Sequence, residues 1–345
     1  MLRAYAIPCG AIQTHALTRD EEAALIVLVD ALSTRVTFVL TRSELRKLSA
    51  AIERVSASLD RERLMERVMR ELTSSGPGLQ IQADANDRSL QGKQLAAMVK
   101  QGSVDAVLGP IGGASPRTSN GRGPRPLAFI DAAREVQKLP LELSLSEYAF
   151  EEELAALFRP LFRFGEELTI VDPYLGADTL RRLDSNPSDD CGLAFIVEQA
   201  ARSAHVRKGR LALRLVSSQH QFKQAFKKLK SNPTAEVVAG LQQLESEDAR
   251  QLIDERLRQR VCEFALCTGL PRAQVDVEVR WVPKTHDRGL ISSQRVWKIE
   301  HSLHSLSELL TSIRKGKRTA GSAVRLQLLQ DAGSDQIRSL ARDAS

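Results

Sequence analysis

The stretch LTIVDPY, residues 168–174, decides the fold of the second half of the chain. Its first four residues are apolar or β-branched and predict a short buried strand, which Asp172-Pro173 ends at a turn. A helix is predicted immediately before it, from about Ser146 to Phe164, with Gly165 in the position that commonly terminates helices. The strand opens a segment in which strands and helices alternate. Such alternation favours an α/β domain with a mostly parallel sheet covered on both faces.

The same two patterns predict the other elements of this segment. Its further strands share short runs of apolar and β-branched residues: residues 211–216, 275–282, 289–292 and 296–299. Its further helices share apolar residues at helical spacing: residues 193–204, 219–230, 233–267 and 305–315. In VDVEVRWV, residues 275–282, strict alternation places one set of side chains on a common face: Val275, Val277, Val279 and Trp281.

The first half of the chain is dominated by helical periodicity. Residues 36–40, VTFVL, are its clearest strand, and residues 79–83 and 105–109 are weaker candidates. Its predicted helices follow one another along the chain: residues 20–32, 43–56, 60–73 and 92–101. We therefore predict a smaller, α-rich (α+β) domain over residues 1–114.

A composition change marks the predicted domain boundary. Residues 115–128 are rich in Gly, Pro, Ser and Arg and nearly free of large apolar side chains, which is typical of a linker. The second domain is then expected over residues 129–318, and residues 319–345 are expected to form a polar tail.

Composition excludes several classes of protein. The 345 residues are 42% hydrophobic, enough for two aliphatic cores, and the net charge of +6 is compatible with an anionic partner. The four cysteines form no CxxC pair, so we expect no metal site and no cofactor. The best apolar run, Ala23 to Val29, is too short to span a bilayer. We therefore expect a cytoplasmic protein.

Polar residues follow two of the predicted strands in the second domain. Asp172-Pro173-Tyr174 ends one strand, and KTHDR, residues 284–288, follows another. Because ligands of open α/β sheets bind outside the carboxyl ends of the strands, these residues should share one rim. His286 has the chemistry of a nucleophile or general acid, and the fork of Arg288 suits phosphate oxygens.

The neighbours of these two residues complete the predicted phosphate site. Lys284 adds a point charge, while Asp287 either orients His286 or pairs with Arg288. Together, the chemistry assigns candidate catalytic roles to Asp172, His286 and Arg288. Candidate ligand-binding roles fall to Tyr174, Lys284 and Asp287.

These motifs resemble the phospholipase D-like superfamily over residues 148–315. IVDPYL, residues 170–175, is similar to the opening strand of that family. HDR, residues 286–288, followed by Gly-Leu-Ile-Ser, resembles its His-x-Lys element. It is closer still to the His-Asp-Arg of the branch typified by the C-terminal domain of MIT-domain proteins. The run from Trp297 to Leu309, which contains His301 and His304, fits the same layout and makes His301 a ligand-binding candidate.

The resemblance carries expectations about fold and chemistry. It implies a mixed sheet flanked by helices, with His286 in the place of the family nucleophile. Family enzymes use two His-x-Lys elements, and this chain has one, so catalysis of this kind implies a homodimer that brings two His286 side chains together. The motif is degenerate, because Arg288 replaces the lysine and Ser293 replaces the expected aspartate.

Basic side chains recur outside the motif. Three charged stretches stand out: residues 207–210, 223–230 and 314–318. Within the second, Lys223, Lys227 and Lys230 share one face of a predicted helix. Such clustering is what binding to a nucleic-acid backbone requires, so Lys223 and Lys227 are further ligand-binding candidates.

Three functional hypotheses stay open from the sequence. The first is a phospholipase D-like phosphodiesterase, specifically a dimeric nuclease, for which the resemblance suggests a setting in bacterial genome defence. The second is a non-catalytic module of the same fold that binds phosphate groups of nucleic acid or of anionic lipid headgroups. The third is a scaffold whose N-terminal domain recruits a partner protein.

Overall fold

The computed structural model describes fourteen segments of the chain: residues 2–8, 11–12, 17–32, 34–73, 78–82, 92–109, 126–140, 142–181, 191–231, 245–292, 295–300, 302–316, 324–329 and 337–339. The chain divides into two compact units, Met1–Pro140 and Leu141–Ser345. Within the described helices, no segment is both long and apolar enough to cross a membrane.

The first unit contains a four-stranded, all-parallel sheet in the order β3-β2-β1-β4. Its strands are short: β1 (Arg3–Ala6), β2 (Val36–Leu40), β3 (Leu79–Ile81) and β4 (Ala106–Val107). Its helices are α1 (Arg19–Asp30), α2 (Arg42–Ile52), α3 (Ser58–Thr73), α4 (Gly92–Lys100) and α5 (Phe129–Gln137). The predicted α-rich domain is thus an α/β unit. The strand that nucleates its sheet, β1, was missed because RAYA is too short to show an alternating pattern.

The boundary between the units lies at Pro140 and not in the predicted linker. Helix α5 has one apolar face, and Phe129, Ala132 and Val136 on that face are buried in the core of the first unit together with residues of α1 such as Leu25. The prediction that the second domain begins at residue 129 is therefore wrong. The stretch of residues 115–125, predicted as linker, lies outside the described residues.

The second unit contains a seven-stranded mixed sheet in the order β5-β11-β10-β9-β6-β7-β8. The strands are β5 (Glu142–Ser144), β6 (Glu167–Val171), β7 (Leu211–Ser218), β8 (Val275–Val282), β9 (Gly289–Ser292), β10 (Arg295–Ile299) and β11 (Arg325–Leu329). The helices are α6 (Glu151–Phe162), α7 (Leu175–Arg181), α8 (Cys191–Arg207), α9 (Gln219–Ser231), α10 (Ser246–Leu266) and α11 (Leu303–Arg314).

Parallel pairing is confined to one end of this sheet. Strands β6, β7 and β8 run parallel to one another, whereas β6 pairs with β9 in the antiparallel sense, as do the remaining neighbours. The α/β class and the mixed sheet are therefore present, but the sheet is not mostly parallel. The parallel end still brings three strands to one carboxyl edge.

Strand β11 corrects the prediction of a polar tail from residue 319. Leu326 and Leu328 are buried, whereas Arg325 is exposed, which is the alternation of a half-buried strand. β11 pairs with β10 on one side and β5 on the other, so it joins the two halves of the antiparallel part of the sheet.

Candidate functional site

The carboxyl ends of β6, β7 and β8 define one rim of the second sheet, called here the carboxyl edge. Val171, at the end of β6, pairs with Gly289, at the start of β9. The loop of residues 283–288 therefore runs from the end of β8 to a position beside the end of β6. The end of β10 reaches the same rim, where the N–H of Ile299 donates to the carbonyl of Arg288 at 3.3 Å.

Asp172 lies at this rim with both carboxylate oxygens engaged by backbone. Oδ1 accepts from the N–H of Tyr174 at 2.9 Å, and Oδ2 accepts from the N–H of Leu303 at 3.0 Å. The side chain is buried, and burial raises its pKa, although the two N–H donors and the charge of Arg288 oppose that shift. Asp172 therefore fixes the turn after β6 and the start of α11.

Ser217 on β7 stabilises the turn after β6 through two hydrogen bonds. Its buried hydroxyl donates to the carbonyl of Pro173 at 3.3 Å and accepts from the N–H of Gly176 at 3.0 Å. Gly176 leaves the space that the ring of Trp281 fills, because a Cβ there would overlap the indole. Trp281 and Ser217 thus set the position of Tyr174, which follows the aspartate.

Arg288 lies over the ring of Tyr174. Its Cζ atom is 5.4 Å from the ring centroid, a cation–π distance. Its Nε atom is buried without a hydrogen-bond partner, and none of the hydrogen bonds between described residues uses its guanidinium as donor. The arrangement presents a planar, charged donor group at the rim whose N–H groups donate to no residue in the described part of the chain.

The loop before Arg288 is stiffened by a local turn. The buried hydroxyl of Thr285 accepts from the N–H of Asp287 at 3.1 Å and lies 3.4 Å from its carboxylate. His286 and Lys284 are exposed and extend from this turn towards solvent.

His220 is a site residue that the sequence analysis missed. Its N–H donates to the carbonyl of Pro283 at 3.1 Å, so the start of α9 is bonded to the start of the 283–288 loop. Its exposed ring lies 2.9 Å from the side-chain nitrogen of Gln224. The sequence could have indicated it, because His220 follows the end of a predicted strand, as Lys284 does. Each is the second residue after its strand, β7 for His220 and β8 for Lys284.

Helix α9 carries the predicted lysines away from the same rim. Lys223 and Lys227 are exposed, one turn apart. Lys230 lies 4.8 Å from the centroid of the Phe226 ring. The helix has no acidic residue in its first turn. Basic side chains thus lie both on the loop after β8 and on the exposed side of α9, whose second residue is hydrogen-bonded to that loop.

A small pocket on the other side of Asp172 has a different character. It lies among α7, α8 and α11 and is lined by Leu175, Asp178, Thr179, Leu193, Leu303, His304 and Ser307. Two carboxylates, Asp172 and Asp178, border it, so it does not suit an anion. His304 lies 3.3 Å from Glu308 on the surface of α11.

Two predicted positions, Ser293 and His301, lie outside the described residues. Among the residues that are described, no group of three His, Cys, Asp or Glu side chains could hold a metal ion. No protein-family model matches the chain, and no curated protein matches it either.

Proposed function

We propose that the carboxyl edge of the second sheet binds the phosphate groups of a nucleic acid. The observation that carries the proposal is the position and hydrogen bonding of the Arg288 guanidinium. Its guanidinium is oriented by the Tyr174 ring, yet it donates no hydrogen bond to any described residue, and its Nε atom is buried. The guanidinium donors of Arg288 that are not committed to described residues can receive a ligand with oxygen acceptors.

Phosphate fits the chemistry better than other acceptors. A guanidinium binds phosphate oxygens through two parallel N–H donors, and the neighbouring charge of Lys284 would add to the attraction. Asp172 opposes an anion less than an exposed carboxylate would, because its side chain is buried and two backbone N–H groups donate to its oxygens.

A polymer accounts for the lysines of α9 as well. Lys223 and Lys227 follow His220 by about one and two turns of helix, so they lie about 5 and 10 Å further along α9 from the bond that ties it to the loop. A nucleic-acid backbone presents phosphates in series and can contact both places. A single phosphate at Arg288 would leave these lysines unused, which favours a ligand with several phosphates. Of such ligands, nucleic acid is the one proposed here.

The test is equilibrium binding of labelled duplex DNA, single-stranded DNA and RNA to the whole chain, with anionic lipid vesicles as a separate arm. We expect Arg288→Ala to weaken nucleic-acid binding at least tenfold and Arg288→Lys to restore only part of it, because lysine keeps the charge and loses the fork. Arg210→Ala is the matched control, since Arg210 is exposed and precedes β7 at the opposite end of the strand.

Two outcomes would contradict the proposal. One is equal loss of binding in the Arg288 and Arg210 variants, which would indicate a diffuse attraction to net charge. The other is binding to vesicles, but not to nucleic acid, that depends on Arg288; this would move the ligand to anionic lipid.

A second candidate, cleavage of a phosphodiester, is favoured by the two exposed imidazoles at the rim. His220 and His286 follow neighbouring parallel strands, and the bond between the N–H of His220 and Pro283 ties their segments together. Histidine pairs supply a general base and a general acid. The test is cleavage of DNA and RNA in the presence of EDTA, with His286→Gln expected to abolish it. Cleavage that survives in this variant would exclude the role of His286.

The resemblance to the phospholipase D-like superfamily is part of this proposal. It is supported by the buried strand that ends at Asp172 and by the His-Asp-Arg loop that lies beside it. The His-x-Lys chemistry of that family would further need two His286 side chains in one site. A setting in the cytoplasm, in defence against foreign nucleic acid, would follow from the same resemblance.

A further inference from the structure

Strand β8 is an outer strand of the second sheet as far as the described residues show. It has eight residues, and in the described part of the chain it pairs with β7 alone. The other outer strands are much shorter: three residues in β5, three in β3 and two in β4. Natural proteins usually keep edge strands short because a long one presents a row of N–H and C=O groups to other chains. The length of β8 is therefore unusual.

The side chains of β8 are only partly covered. Glu278 and Arg280 have 44% and 23% of their side chains exposed. Arg280 Nε donates to one oxygen of Glu278 at 2.6 Å, and Arg214 Nε donates to the other at 2.9 Å. On the opposite face of the strand, Val277 and Trp281 are half-buried rather than buried. Charged and apolar side chains thus lie together on this outer strand.

We propose that β8 pairs in the antiparallel sense with β8 of a second copy of this chain, about a two-fold axis through Val279. In this register Glu278 of each copy lies opposite Arg280 of the other, and Val277 lies opposite Trp281. Opposite charges and aromatic–aliphatic pairs are the cross-strand pairs that stabilise sheets. The strand is therefore complementary to itself, as an isologous interface requires.

The charges also select this register. A two-fold axis through Glu278, one residue away, would keep two opposite-charge pairs, Asp276 with Arg280. It would, however, place two glutamates directly opposite each other, and like charges in that position are destabilising. It would also place Val277 opposite Val279 and leave Trp281 opposite Val275. The axis through Val279 avoids the like-charge pair and repeats two favourable pairs on each side.

The proposed dimer has a consequence for the carboxyl edge. Because the two β8 strands run in opposite directions, the carboxyl edges of the joined sheets point to opposite ends. The two His286 side chains would then lie far apart, so this dimer would offer two separate anion sites and would not form the two-histidine site that His-x-Lys chemistry needs. The proposal does not depend on the proposed function, since it rests on β8 alone.

The experiment is a pair of charge-reversal variants of the full chain, Glu278→Arg and Arg280→Glu, measured by sedimentation velocity over a concentration series. The wild type should dimerise. Either variant alone should weaken the dimer at least tenfold, because its homodimer would place like charges opposite each other at both positions. An equimolar mixture of the two variants should form a heterodimer, in which both pairs are again of opposite sign.

The mixture is the decisive arm, because a variant with a merely local defect would not be rescued by the other. Arg210→Glu is the matched control for a change in net charge and should dimerise like the wild type. Circular dichroism checks that each variant folds. If one does not, amide hydrogen exchange of β8 in the wild type replaces it, with protection expected to fall on dilution. A monomeric wild type, a mixture that stays monomeric, or protection independent of concentration would overturn the proposal.

Discussion

The carboxylate of Asp172 accepts a hydrogen bond from the backbone N–H of Leu303 at 3.0 Å, across 131 residues of sequence. The bond joins the end of β6 to the first residue of α11. Ser302 also caps this helix, through its hydroxyl and the N–H of Ser305 at 3.4 Å. Asp172, a catalytic candidate in the sequence, therefore has a structural role: it links the end of β6 to the start of α11. Its replacement should lower the free energy of unfolding.

Replacing Asp172 with alanine should destabilise the protein by about 2–4 kcal/mol. The change leaves the N–H groups of Tyr174 and Leu303 without acceptors in a buried place, and each such orphan costs about 1–3 kcal/mol. The measurement is the free energy of unfolding from chemical denaturation, followed by a probe in the second unit. Asp178→Ala is the control, because Asp178 pairs with Arg181 at the surface and its loss should cost less than about 1 kcal/mol. Equal losses in the two variants would contradict the bonding described for Asp172.

The stability advantage of the wild type over Asp172→Asn should shrink as the pH rises. Burial raises the pKa of Asp172 above its ordinary value of 3.8, so the folded state holds this proton more tightly than the unfolded state. The resulting stability is complete below 3.8 and is lost as the pH rises through the folded pKa. Asparagine does not titrate, and the other groups cancel in the difference. The measurement is the free energy of unfolding of both proteins, by chemical denaturation, at a series of pH values from acid to neutral. If the difference between the two free energies grows with pH, the pKa of Asp172 is lowered on folding and not raised.

Gly176→Ala should destabilise the second unit by about 1–3 kcal/mol, the cost typical of overpacking. The added methyl group would overlap the indole of Trp281. That ring has little freedom to move, because its Nε1 donates to Asp254 at 2.7 Å and Phe222 packs against it edge-on at 5.2 Å. The measurement is the shift in the unfolding midpoint.

Gly209→Ala is the matched control for that substitution. A Cβ at Gly209 would meet its nearest neighbours at 4.0 Å, which is ordinary contact, so a change within about 0.5 kcal/mol is expected. A Gly176 variant as stable as the wild type would mean that Trp281 does not hold α7 in place.

The elements with strong local signals were predictable. Strand β2 was placed correctly at residues 36–40 and β8 at residues 275–282, because runs of β-branched and aromatic residues predict strands without help from the fold. Helix α1, predicted from residue 20, begins at Arg19, where Thr18 forms a capping box with Glu21. The position of Asp172 and the 284–288 loop at one rim was also predictable, because both follow strands that run in the same direction.

The remainder depended on contacts that no local pattern encodes. Strand β1 is buried only because β2 and β4 flank it on both sides. Helix α5 has the same amphipathic pattern whichever unit it joins, so its apolar face could not indicate the domain boundary. The bonds of Asp172 to Leu303 and of His220 to Pro283 span long stretches of sequence, and the roles of these residues appear only when the chain is folded.

The salt dependence of nucleic-acid binding should report on the lysines of α9. Each phosphate contact adds about 0.9 to the magnitude of the slope of log K against log salt for duplex DNA. Replacing Lys223 and Lys227 together with glutamine should therefore lower that magnitude by about 2, while the Arg288 variant loses affinity at every salt concentration. The matched control is the double variant Lys208→Gln with Arg210→Gln, which removes the same charge at the amino end of β7. If both double variants change the slope equally, the basic surface of α9 is an ordinary solvated helix face and the nucleic acid does not follow it.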